Sequence, residues 1–224
     1  MSLSTGHDAA APADAQADAT APTGTRRSGA AWLALVLVIG LLLGAAGGFL
    51  GARHLGIPAD DSPEAGFLRD MSTHHAQAVE MSMIEHANSA NPQIVTLAGD
   101  IALTQHGQIS TMKAQLRDWN LSLTGTRPPM AWMPDSQGAV RNGLMPGMAT
   151  PEQLTALRKA TGTDLDRQYL TLMRQHHLGG IHMAQAILDM SDDENVTGLA
   201  KTMVAGQQSE INLIDNLLAK LKTG

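Results

Sequence analysis

The chain has no cysteine, which excludes disulfides, thiolate metal sites and a thiol nucleophile. Aromatic residues make up only 3% of its 224 residues. A haem bundle with Met and His axial ligands would suit a helical chain, but nothing marks a haem cavity. Lys and Arg number 15 against 21 Asp and Glu, a net charge of −6, and they are scattered. Without a basic face to neutralise phosphates, nucleic-acid binding is excluded. No Ser-His-Asp arrangement or phosphate loop is present. Methionine, by contrast, occurs 13 times, so any soft-metal chemistry must rest on thioether and imidazole. The plainer use of Met is as a flexible core filler.

The N-terminal part differs in composition from the rest. Residues 1–28 are rich in Ala, Asp, Thr and Pro without periodicity, and are expected to form a disordered tail because they cannot bury enough apolar surface. From Ala30 to Leu50 there is no charged residue, a run suited to a bilayer core of roughly 30 Å. Residues 29–52 are therefore expected to be one transmembrane helix. A cleaved signal peptide is the competing reading, but its apolar region is usually about 7–15 residues behind a short leader. Arg26 and Arg27 precede the span and Arg53 follows it, favouring a cytoplasmic N-terminus and an extracytoplasmic C-terminal domain at the cell membrane. Gly40, Gly44 and Gly48 recur at spacing four, a face on which two such helices could form a homodimer. Residues 53–61 then read as a tether.

Residues 62–224 contain an internal repeat. Met71-Ser72-Thr73-His74-His75 with Met81 recurs 102 positions later as Met173-Arg174-Gln175-His176-His177 with Met183. The same gapless offset matches Phe67 to Tyr169, Ile94 to Val196, Ala98 to Ala200, Gln105 to Gln207, Gln108 to Glu210 and Ile109 to Ile211. Two copies of a helical hairpin follow, with short loops that make each pair antiparallel. Ser62-Pro63-Glu64 opens a helix to about Asn88, and Asn91-Pro92 opens one to about Trp119. Thr161 or Thr163 caps a helix from about Asp164 to Met190. Ser191-Asp192-Asp193-Glu194 reads as a capping box for a last helix to about Leu221. The fold class expected is an all-α four-helix bundle. Pro and Gly break the connection at 120–150, which carries Met130, Met133, Met145 and Met148, and Thr150-Pro151-Glu152-Gln153 caps a short helix to about Lys159.

The repeat singles out His and Met as the polar and soft exceptions among conserved-by-duplication apolar positions. Met71, His74, His75 and Ala78 lie on one helical stripe, as do Met173, His176, His177 and Gly180. His74, His75, His176, His177, Met71, Met173, Met81 and Met183 are the candidate ligands, a set suited to Cu(I). Gln105, Gln108, Gln207 and Glu210 fall in the facing seams and are candidates to orient the imidazoles. The alternative is a purely structural bundle in which the same His and Gln groups satisfy one another and fix helix register. A second alternative places the metal on Met130, Met133, Met145 and Met148. A di-iron enzyme needs about four inward carboxylates with Glu-x-x-His pairs, a pattern these helices lack.

The motifs Phe67-Leu68-Arg69-Asp70-Met71-Ser72-Thr73-His74-His75, Met145 to Gln153, Met173 to Ala184 and Gln207-Gln208-Ser209-Glu210-Ile211 together resemble the family catalogued as domain of unknown function 305. The resemblance covers about residues 62–222. It implies a ferritin-like bundle of duplicated hairpins. Because some members are exported copper-binding proteins linked to copper tolerance, it implies copper as the bound partner. The chain departs from the exported soluble form in carrying an apolar segment behind a long Ala-rich tail. The reading is thus a membrane-anchored, extracytoplasmic, non-enzymatic copper protein, for sequestration or handover.

Overall fold

In a computed structural model, the residues described are 27–54, 57–134, 136 and 138–223. Residues 1–26, where the disordered tail is expected, lie outside them, as do residues 55 and 56 of the expected tether. The elements are α1 (Arg27–His54), α2 (Pro63–Asn88), α3 (Pro92–Asp118), α4 (Pro151–Lys159), α5 (Gly162–Leu188) and α6 (Glu194–Thr223). Among the described residues there is no strand, only an isolated bridge between Arg141 and Leu144.

Two compact units divide at His54. In the first, α1 is a 28-residue helix whose large apolar side chains from Trp32 to Leu43 are exposed. Its described side chains are those of residues 32–45, 47 and 48. Among the described residues no helix is long and apolar enough to cross a membrane.

The second unit holds the two hairpins. Ser62 caps α2 by accepting from the Ala65 N–H, Asn91 caps α3 by accepting from the Gln93 N–H, and each helix has Pro in its first turn. Thr150 and Gln153 form the reciprocal capping box of α4. Two sequence expectations shift. Helix α5 starts at Gly162 behind Thr161, whose side chain makes no cap bond. The α6 start is capped not by a Ser191–Glu194 box but by Asp193, whose Oδ1 accepts from the N–H groups of Asn195 and Val196. The carboxylate is one residue from the helix and reaches both donors, whereas Ser191 Oγ is occupied by the Asp193 N–H.

The core consists of two apolar clusters at opposite ends of the bundle. One joins the start of α2 (Phe67, Leu68, Met71), the end of α3 (Met112, Leu116), the end of α5 (Met183, Ile187) and the start of α6 (Val196, Met203). The other joins the end of α2 (Ala78, Met81), the start of α3 (Ile94, Ile101), the start of α5 (Tyr169, Met173) and the end of α6 (Ile214, Leu217). Repeat-equivalent residues such as Met71 and Met173 fall in opposite clusters, as an approximate two-fold axis between antiparallel hairpins requires. The connection adds Met130, Met133 and Met145 to the first cluster, with half-buried Met148 against it. It is pinned by Asp70, whose Oδ2 accepts from the Met130 N–H at 2.6 Å and from Trp132 Nε1–H at 2.9 Å. Phe67 meets Trp132 edge to face.

Candidate metal centre

Between the two clusters lies a layer of four histidines. His74, His75, His176 and His177 are all buried, because the His-His pairs occupy the inward stripe one turn past Met71 and Met173. The rings of His74 and His176 lie against each other, with centroids 3.8 Å apart and planes 35° from parallel. Small residues on α5 let neighbouring groups come close to the layer. A Cβ on Gly180 would fall 2.5 Å from Gln207 Oε1, and one on Gly179 would fall 1.9 Å from the Pro146 carbonyl oxygen.

Every Nε2 in the layer has an acceptor. His75 Nε2–H donates to Gln108 Oε1 at 2.8 Å and His177 Nε2–H to Glu210 Oε2 at 2.5 Å, equivalent bonds with the same 33-residue separation in each repeat. His74 Nε2–H donates to the Pro146 carbonyl and His176 Nε2–H to the His74 carbonyl, each at 2.9 Å. A carbonyl oxygen only accepts, so the ring proton sits on Nε2 and Nδ1 is left as a lone pair. None of the four Nδ1 atoms, all buried, has a hydrogen-bond partner. Burial, a medium that disfavours charge, lowers His74 to about 4 and His75 to about 3, the latter helped by repulsion from His74. It also drives His176 well below the ordinary value. These three rings are therefore neutral at physiological pH, the form that ligates.

The sequence-derived set is only partly brought together. Met71, Met173, Met81 and Met183 are fully buried, one pair in each of the two clusters flanking the layer. Of the four seam residues, Gln108 and Glu210 bond the histidines. Gln105 and Gln207 are buried, yet both amide atoms of Gln105 and the Oε1 of Gln207 have no partner. Met130, Met133, Met145 and Met148 pack into or against the apolar core, the first three buried.

Sequence reasoning missed the strap formed by Met145 to Ala149. It crosses α2 and α5 at the level of the histidines. Pro146 accepts from His74, and Gln77 clamps Ala149 by donating to its carbonyl at 3.0 Å and accepting from its N–H at 2.6 Å. Gly147, at φ +78°, sits where a Cβ would be 2.3 Å from the Gln175 carbonyl oxygen. A signal existed in the repeat. Its offset pairs Gln77 with Gly179 and Ala78 with Gly180, and so departs from itself where the strap docks. A second buried group lies away from the layer. Glu85, whose two carboxyl oxygens have no hydrogen-bond partner, is held up at about 8 by burial and then by the neighbouring Asp166, while Asp166 accepts from Ser89 Oγ at 2.6 Å.

The donors fit a soft ion of low coordination number: imidazole lone pairs without competing donors, and thioethers one helical turn away along the chain. They do not form a cage for a hard or four-carboxylate centre. Ring centroids within each pair are 6.5 and 6.4 Å apart, and among the described residues no group of three or more His, Cys, Asp or Glu is disposed around one point.

Fold and site together define a duplicated-hairpin helical bundle with a buried histidine layer at its midplane. The profile of the family described as "Domain of unknown function (DUF305)" matches residues 64–218, and the chain belongs to that family. Among solved structures it is similar to a DUF305 protein of Streptomyces coelicolor, at 41% identity and TM-score 0.67, over 73% of this chain and 96% of that one. It is similar to a DUF305 fragment of Deinococcus radiodurans, at 29% identity and TM-score 0.58, over 70% and 96%. It also shares the fold of CopM in its Cu(I)-bound form, at 19% identity and TM-score 0.55, over 71% and 96%. No curated protein sequence matches the chain.

Proposed function

We propose that the bundle binds Cu(I) at the histidine layer, outside the cytoplasm, to sequester or hand over the ion rather than to catalyse a reaction. The observation that carries this is the set of buried, unpartnered Nδ1 atoms, each on a helix that also presents a thioether. His75 follows Met71, and His177 follows Met173, at i+4, a spacing that puts both groups of a pair on one helix face. Cu(I) accepts such a thioether and imidazole pair, and a bound ion supplies the partner that each Nδ1 lacks. CopM, which shares the fold, has been solved with Cu(I), Cu(II) and Ag bound, and the ferritin-like label fits the same architecture.

An extracytoplasmic setting is supported by the Streptomyces relative, whose description places it provisionally among secreted proteins. We assign α1 as the anchor, on the absence of charge from Ala30 to Leu50 and the exposure of its described leucines. Protease added to intact cells then removes the bundle. Protection of residues 62–224 in the membrane would reverse that orientation.

The purely structural reading keeps one observation in its favour, namely that every Nε2 already has an acceptor. Titration of Cu(I) into the full chain separates the two. Changing Met71 and Met173 to Leu, or His75 and His177 to Ala, is expected to abolish tight binding, and changing Met130, Met133, Met145 and Met148 to Leu is not. Loss confined to the last variant would move the site to the connection, and no uptake by the wild type would leave the layer structural.

A further inference from the structure

The two halves of the layer are copies in every ligand-type residue and differ in the group behind the outer imidazole. His75 Nε2–H meets the neutral amide of Gln108 at 2.8 Å, and His177 Nε2–H meets the Glu210 carboxylate at 2.5 Å. Gln108 and Glu210 occupy equivalent positions in the repeat, 102 residues apart. Resting on the copper reading above, we propose that Glu210 is the residue that makes the halves unequal: the first Cu(I) goes to the Met173–His177 half, and the Met71–His75 half alone does not hold one tightly.

Two physical effects act in the same direction. A carboxylate accepting the Nε2–H pushes electron density through the ring to Nδ1 and strengthens it as a donor, which a neutral amide does far less. The second effect is charge. A monovalent cation placed among buried apolar groups is costly unless an anion accompanies it. Beside His177 the Glu210 carboxylate supplies that anion, and the ion and carboxylate sum to zero. Beside His75 the equivalent acceptor, Gln108, is a neutral amide and supplies none. Arg174, one turn before His177, is engaged by Asp215 at 2.6 Å and leaves Glu210 uncompensated by it.

Glu210 acts through His177 and is a positioning residue, with 21% of its side chain exposed. Its exposure lowers the strength of its field without removing the direct bond to the ring. The asymmetry also distinguishes ions. A divalent ion next to one carboxylate keeps a net buried charge, whereas Cu(I) does not, so the layer favours the monovalent state.

The test is competition for Cu(I) between the full chain and a chromophoric chelator. Wild type is expected to take up one ion tightly. Glu210→Gln keeps the shape and the hydrogen-bond acceptor, and should lose about 10–100-fold in affinity while the metal-free protein melts as wild type does. His177→Ala should abolish tight binding and His75→Ala should spare it. Gln108→Glu should add a second ion of comparable affinity. Equal binding by Glu210→Gln, or loss with His75→Ala but not His177→Ala, would overturn the asymmetry and leave copper binding standing. Absence of uptake by the wild type would overturn both.

Discussion

The imidazole of His176 rests on that of His74, and its Nε2–H bonds to the His74 main-chain oxygen at 2.9 Å. One residue from each hairpin thus closes the middle of the bundle, and neither ring has room or solvation for a proton.

Acid should therefore unfold the metal-free bundle early. His74 and His75 titrate at about 4 and 3 in the fold and near 6.5 in the unfolded chain. Their contribution is fully present above about pH 6.5 and is lost as pH falls toward 3–4, because the unfolded chain takes up protons first. A loss of roughly 3 to 5 kcal/mol per ring is the upper scale of shifts of that size. Urea midpoints at pH 7.5 and 5.0 measure it, and identical midpoints would mean that the rings are solvated.

Glu85 works in the opposite direction. Its folded value of about 8 lies above the unfolded value near 4.3, so the native state holds a proton that the unfolded chain releases. Its effect favours the fold at low pH and is lost as pH rises through 8. The groups facing it are Asp166 and, more distantly, Tyr169, while the Ser89 hydroxyl beside them donates to Asp166. Glu85→Gln is expected to raise stability at pH 9 by roughly 1–3 kcal/mol and to change little at pH 4. Equal effects at both values would show that the carboxyl is not buried in its neutral form.

Asp70→Ala removes the acceptor shared by the Met130 N–H and the Trp132 indole N–H. Each buried donor left unpaired costs about 1–3 kcal/mol, and Met130 is held there at φ +66°. The expected outcome is a lower denaturant midpoint together with faster hydrogen exchange in residues 128–134. A shift in the midpoint without faster exchange there would place the damage elsewhere.

Gly179→Ala forces a methyl to within 1.9 Å of the Pro146 oxygen, and both partners are backbone, so the strap must lift. The variant should become cleavable by protease near residues 140–149 while its helical circular dichroism stays close to wild type. Continued protection would mean that α5 shifts instead.

The repeat made much of this legible. The gapless offset placed four long helices and put His74 and His176 at one level, because helical periodicity and duplication are both written in local spacing. The Met and His stripes faced inward as their spacing required. Less legible were contacts that depend on three-dimensional neighbours. Gln105 and Gln207 sit in the same seam as Gln108 and Glu210, and only a rotation about the helix axis decides which pair meets the rings. The strap docks through glycines and main-chain carbonyls, which carry no side-chain signature. Glu85 and Asp166 meet only because the end of α2 crosses the start of α5, and their repeat counterparts are Ile187 and Glu64.

The closure of Pro146 to Ala149 over the seam separates how tightly the layer holds something from how long it holds it. With the rings fully covered and the strap tied by Gln77 and His74, whatever enters or leaves by that side waits for the strap to open. For the ion proposed above, residence time would then be set by an opening rate. Substitutions such as Gln77→Ala would quicken exchange of that ion without touching any of its proposed ligands.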